Sequence, residues 1–77
     1  MMTLGELLKQ TRQKQFLTQD ELAELLNVAV STVNRWETGK AKPNIKTMKK
    51  IKEFCDEHSI EYCELEKAWL SFGSEEQ

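Results

Sequence analysis

Two helical signals meet across one short turn between Leu26 and Val30, and that junction restricts the fold more than any other feature of the chain. On its N-terminal side, Thr18 and Glu21 form a capping box, in which the threonine hydroxyl accepts from the backbone three residues on and the glutamate reaches back. Leu22, Ala23, Leu25 and Leu26 then share one face of a short helix. Asn27 ends it, because asparagine tolerates the left-handed backbone conformation better than most residues and serves there in place of glycine. Val28 reads as a buried plug in the turn. Beyond it, Val33 and Trp36 share an inner stripe while Ser31, Asn34 and Arg35 point elsewhere, which predicts a helix from about Val30 to Thr38 closed by Gly39.

The rest of the chain follows the same grammar. Thr3 and Glu6 form another capping box, and Leu4, Leu7, Leu8 and Thr11 keep a helical spacing from about Leu4 to Gln15. After the basic loop Lys40, Ala41, Lys42, Pro43, Asn44 caps a fourth helix that carries Ile45, Met48, Ile51 and Cys55 inward and lysines outward. His58 and Ser59 break it. Tyr62, Leu65, Trp69 and Phe72 then recur at three- and four-residue spacing, an amphipathic fifth helix over 60–72 stopped by Gly73, with 73–77 read as a disordered tail. No β-alternation, internal repeat or low-complexity run interrupts this pattern. The expectation is a single all-α domain over residues 1–72, a compact five-helix bundle, which 77 residues suffice to build.

Net charge is −2, which at first counts against a nucleic-acid partner. The distribution reverses that reading. Residues 1–52 hold ten basic and five acidic side chains, a balance of +5; residues 53–77 hold Lys67 against eight acidic ones, a balance of −7. Salt screens exposed charges beyond about 8–10 Å, so an acidic far end need not cancel a basic face. One functional face and one solvating or partner-binding end are expected.

Other chemistries find little support. No run approaches the ~20 apolar residues of a membrane span, and the N-terminus lacks the pattern of a signal peptide, so a cytoplasmic protein with no membrane association is expected. Cys55 and Cys63 are too few for a disulfide framework and read as reduced, half-buried thiols. Together with His58 they give a Cys-x2-His-x4-Cys spacing that lacks a fourth ligand and matches no standard zinc pattern, so no metal or cofactor is expected. His58 is the only histidine, no nucleophile is paired with it, and no glycine-rich phosphate loop is present. Catalysis is not expected.

The segment LTQDELAELLNVAVSTVNRWETGKAKP, Leu17 to Pro43, closely resembles the helix-turn-helix family of phage Cro and CI repressors and their bacterial relatives. The match joins Thr-Gln at the second helix, the Glu-Leu-Ala core, a turn followed by valine, Ser-Thr-Val at the recognition helix and Trp-Glu-x-Gly-Lys after it. In register it extends over about residues 4–58, leaving only the fifth helix without a counterpart. The resemblance implies a lambda-repressor-like DNA-binding fold with its helix-turn-helix core at 18–38, and a transcriptional regulator, expected to be a repressor, that binds double-stranded DNA.

In that family the recognition helix presents its N-terminal residues to base edges in the major groove, and the matching positions here are Val30, Ser31, Asn34 and Arg35. Asn34 suits adenine and Arg35 suits guanine, each pairing worth about 1–3 kcal/mol of discrimination; Arg35 holding a phosphate is an equal alternative. Val30, where the family usually has a polar residue, either touches a thymine methyl or packs. Ala29 takes the place of a capping serine or threonine, a loss of about 0.5–2 kcal/mol that packing must offset. Gln19 matches the family's phosphate-holding glutamine, in the first turn of a helix whose free N–H groups already favour an anion. Lys40, Lys42, Asn44 and Lys46 are placed for flanking phosphates, while Lys49, Lys50 and Lys52 read as a solvated face. Arg12 and Glu37 match a pair that commonly forms a structural salt bridge in these relatives, and Trp36 reads as core.

The fold is also compatible with a protein-interaction module, such as an antitoxin or adaptor, that has lost DNA binding, and the acidic C-terminal helix is where a protein partner would sit. Gln19, Asn34 and Arg35 beside Lys40 and Lys42 argue instead for a DNA face. A homodimer is expected, since two half-sites about 34 Å apart raise affinity and specificity. Tyr62, Leu65, Trp69 and Phe72 are the candidate seam, with core packing as the alternative.

Overall fold

The first four helices stop in the same way, with one residue in the left-handed conformation. The computed structural model describes residues 2–72 and contains α1 (Leu4–Lys14), α2 (Gln19–Leu26), α3 (Val30–Glu37), α4 (Ile45–Glu57) and α5 (Cys63–Ser71), with no strand among those residues. After α1 to α4 the left-handed residues are Phe16, Asn27, Gly39 and Ser59, at φ 57°, 59°, 83° and 57°. In each case the next N–H donates to the carbonyl five residues back: Leu17 to Arg12, Val28 to Ala23, Lys40 to Arg35 and Ile60 to Cys55, at 2.8–3.2 Å. This Schellman closure satisfies carbonyls that a helix end would otherwise leave open. Glycine and asparagine enter it readily; for a side chain such as phenylalanine the left-handed conformation costs about 1–2 kcal/mol.

The helix starts are equally local. Both capping boxes form, with Thr3 and Glu6 exchanging bonds at 3.2 and 2.9 Å and Thr18 and Glu21 at 3.1 and 2.8 Å. Asn44 Oδ1 accepts from the Thr47 N–H at 2.8 Å. α3 starts at Ala29 without a side-chain cap, so packing has to hold it.

That packing comes from all five helices. Leu4, Leu7 and Leu8 of α1, Leu22, Ala23 and Leu26 of α2, Val33 and Trp36 of α3, Met48, Ile51 and Cys55 of α4 and Leu65 of α5 form one buried cluster. Two side chains expected inside are not there: Leu25 is 58% and Ile45 63% exposed. At about 100° per residue, Leu25 lies roughly 110° from the centre of the Leu22–Ala23–Leu26 arc, and Ile45 lies roughly 90° from the centre of the Met48–Ile51–Cys55 arc, at the edge of its stripe. The fifth helix begins later than its spacing predicts, because residues 59–62 serve as the cap of α4 and the return to the core, leaving Tyr62 just outside it. Gly73 and the tail fall outside the described residues.

α1 crosses α3 at backbone contact. Gly5 is buried, and a β-carbon there would fall 2.5 Å from the Trp36 carbonyl oxygen and 2.7 Å from that of Glu37. At the other end of α1, Arg12 fastens three elements. Its Nε donates to Glu37 Oε2 at 2.7 Å, Nη2 to Glu37 Oε1 at 3.0 Å, and Nη1 to the Leu17 carbonyl at 2.8 Å. The side chains are only 11% and 3% exposed, so this is a fork-to-fork pair largely removed from water. Hydrogen bonding to Glu37 raises the already high Arg12 pKa, outweighing the opposing effect of burial, so the guanidinium stays charged.

α5 is latched to the loop before α4. Trp69 Nε1 donates to the Pro43 carbonyl at 2.6 Å, and Lys42 Nζ donates to the Trp69 carbonyl at 3.2 Å while lying 4.0 Å from its ring centre. The indole thus packs, hydrogen-bonds and holds a cation at once.

Three outcomes are expected. Gly5→Ala should lower unfolding free energy by about 1–3 kcal/mol or more in urea titrations, since backbone must move to admit the methyl. Arg12→Ala should lose about 3–5 kcal/mol, and the Arg12→Ala/Glu37→Ala double variant less than the sum of the singles, because the second change removes the stranded charge. A chromogenic thiol reagent should titrate one cysteine quickly in the folded protein and two after unfolding. Cys63 is exposed, whereas Cys55 is fully buried and its thiol is pushed up in pKa by desolvation.

Candidate nucleic-acid interface

α3 has one face it cannot show and one it must. Val33 and Trp36 are buried, whereas Val30, Ser31, Asn34 and Arg35 are exposed. At about 100° per residue these four occupy one arc of roughly 140°, opposite the core. The sequence therefore sets an asparagine amide and an arginine fork side by side, with a hydroxyl and a valine, on one accessible helix surface. Thr38, just past the helix, accounts for its own hydroxyl, which donates to the Asn34 carbonyl at 2.9 Å.

Gln19, in the first turn of α2, is drawn into the ion-pair network. Its Nε2 donates to Glu37 Oε1 at 2.9 Å, so Glu37 accepts from both Arg12 and Gln19. One amide hydrogen of Gln19 is thereby committed and the side chain is held in place, with the second amide hydrogen left for another acceptor. No buried side-chain nitrogen or oxygen among the described residues lacks a partner. The network fixes the orientation of the α2 N-terminus relative to α3.

The lysines expected on flanking phosphates divide into two groups. Lys40, directly after Gly39, and Lys46, in the first turn of α4, are exposed, as is Asn44, whose carbonyl oxygen caps α4 and whose amide hydrogens remain available. Lys42 instead lies on Trp69, as described above. Lys50, expected on a solvated face, donates to the Leu26 carbonyl at 3.3 Å and so closes the C-terminus of α2. Lys52 pairs with Asp56 at 3.4 Å on the surface.

The candidate seam on α5 is mostly committed to the monomer. Leu65 is 2% exposed, and Tyr62, Trp69 and Phe72 pack partly buried against the core. Beside them, Ile45 and Leu70 stand exposed on the rim of a groove between α4 and α5 that Met48, Tyr62 and Trp69 also line. Spacing places Ile45 inward and does not single out Leu70, because a short amphipathic helix gives no sign of which apolar residues at the edge of its stripe remain uncovered.

A second omission lies closer to α3. Phe16 is 93% exposed, the most exposed large apolar side chain among the described residues, and it shares an open hollow with Leu17, Thr18, Gln19 and Val30. The signal was present: a phenylalanine closes α1 at the position where asparagine and glycine close α2 and α3. Among the described residues, no three histidine, cysteine, aspartate or glutamate side chains assemble a metal site, and no helix is long and apolar enough to cross a membrane.

The sequence has relatives among known proteins. A curated relative, the HTH-type transcriptional activator BcrR of Enterococcus faecalis, is 42% identical over 53 residues, covering 69% of this chain and 26% of the relative. The chain thus spans about a quarter of that protein's length. No solved structure gives a significant match. The helix-turn-helix family matches residues 8–61, from the middle of α1 to the turn after α4, and the chain belongs to that family.

Proposed function

We propose that this chain is a sequence-specific double-stranded DNA-binding domain of a transcriptional regulator, with α3 in the major groove. The observation that carries this reading is the single outward arc of Val30, Ser31, Asn34 and Arg35 on a helix whose opposite face is sealed into the core. The major groove accepts one α-helix, and the amide and guanidinium have the donor patterns that read adenine and guanine edges. Gln19, Lys40, Asn44 and Lys46 flank α3 and meet phosphates, setting affinity and register; Lys42 stands apart from this set while it remains on Trp69. Resemblance to Cro and CI points to repression, whereas the Enterococcus relative is an activator. Binding is common to both.

A homodimer on two half-sites accompanies this reading. Half-sites one helical turn apart are about 34 Å centre to centre. The molecule measures 34 × 25 × 22 Å, so neighbouring copies meet when their long axes run along the DNA. The exposed Ile45 and Leu70 offer apolar surface for that contact, in place of the buried Leu65.

The test is fluorescence anisotropy with the DNA upstream of the coding sequence and a scrambled duplex, titrated across salt. Wild type should prefer the upstream duplex. Arg35→Ala and Asn34→Ala should each reduce that preference by about 1–3 kcal/mol with the fold intact, and Lys40→Ala should weaken both duplexes alike and lower the salt slope by about 1. Equal binding of both duplexes by wild type would refute sequence-specific recognition of this operator, and absence of binding at low salt would favour a protein-interaction role.

A further inference from the structure

Phe16 does nothing for the fold that a smaller residue would not do better. It sits at φ 57°, where the Schellman closure of α1 uses only its backbone: its N–H donates to the Gln13 carbonyl at 2.9 Å and the Leu17 N–H donates to Arg12. The equivalent positions after α2 and α3 are Asn27 and Gly39, residues suited to that conformation. Phe16 combines an unfavourable backbone with a ring that is 93% in water, so neither local geometry nor burial accounts for it.

Its position is not arbitrary. The ring stands on the rim of the hollow lined by Thr18, Gln19 and Val30, where the N-terminal turns of α2 and α3 come together. Gln19 follows it by three residues and has its amide fixed by Glu37. Val30, at the tip of α3, supplies a second exposed apolar surface across the same hollow. Thr18 and Gln19 thus set polar groups between the apolar walls of Phe16 and Val30, and the exposed Asp20 carboxylate also lines the hollow. A DNA strand has the matching alternation: charged phosphates separated by deoxyribose rings whose faces are C–H surface.

We propose that Phe16 is a DNA-contacting residue that packs its ring on the deoxyribose next to the phosphate held by Gln19. This rests on the major-groove reading of α3 and extends the interface to the turn between α1 and α2. The contact is uncharged, so it adds affinity without adding to the salt dependence that phosphate contacts create. It also reads no base, so it strengthens binding to the upstream and scrambled duplexes alike.

The experiment compares wild type with Phe16→Gly, Phe16→Asn and Phe16→Tyr, by thermal melting and by anisotropy on the upstream duplex and on the same duplex with deoxyuridine replacing thymidine. Gly and Asn variants should melt at or above the wild-type temperature and bind about ten-fold more weakly, with an unchanged salt slope, as expected when an apolar side chain no longer buries most of its surface. Phe16→Tyr keeps the ring and should bind within about two-fold of wild type. The ratio of wild-type to Phe16→Gly affinity should persist on the deoxyuridine duplex. Its collapse there would overturn the deoxyribose assignment and move the ring to a thymine methyl. Unchanged affinity in Phe16→Gly while wild type binds would overturn the proposal and leave the α3 reading standing, whereas absence of wild-type binding would overturn both. Gly and Asn variants that both melt well below wild type would make Phe16 a folding residue and refute the proposal.

Discussion

The geometry of the exposed face depends on one carboxylate. Glu37 accepts from two nitrogens of Arg12 and one of Gln19, and Arg12 spends its remaining terminal nitrogen on the Leu17 carbonyl. α1, the turn after it, the start of α2 and the end of α3 therefore converge on a single buried ion pair. Two apolar residues of the same volume could hold the helices together as well, since removing charges from water is costly. They would not set the angle of the Gln19 amide, nor fix α3 about its own axis. Directionality is what the pair contributes, and the surface presented by α3 depends on direction.

The helices, and their ends apart from the start of α5, were legible because their determinants lie within five residues of one another. Two Thr-x-x-Glu boxes, Asn44 as a cap, and Asn27 and Gly39 as left-handed terminators act through local hydrogen bonds, so the chain states them openly. The Arg12–Glu37 pairing spans 25 residues and came from resemblance to relatives, because no local rule connects those positions. The outward set Ser31, Asn34 and Arg35 followed from the inward stripe of Val33 and Trp36.

What escaped was decided by tertiary context. Leu25 and Ile45 sit at the edges of apolar stripes, and a short helix offers too few turns to show which edge of its stripe is covered. Lys42 and Lys50 each reach a carbonyl 24 to 27 residues away, a choice that long, flexible side chains do not advertise. Trp69 reads from the sequence as a seam or core side chain, yet its N–H fixes the loop at Pro43, a polar role invisible in a hydrophobic pattern.

The close approach of Gly5 to the carbonyls of Trp36 and Glu37 has a consequence for recognition. With no side chain between the two backbones, α3 has no cushion on which to slide or roll against α1. With α3 in the major groove as proposed, a duplex that fits imperfectly meets a rigid stencil and must itself bend, twist or change groove width. The energy of a poor match then resides largely in the DNA, where stiffness depends on base steps that the protein never touches.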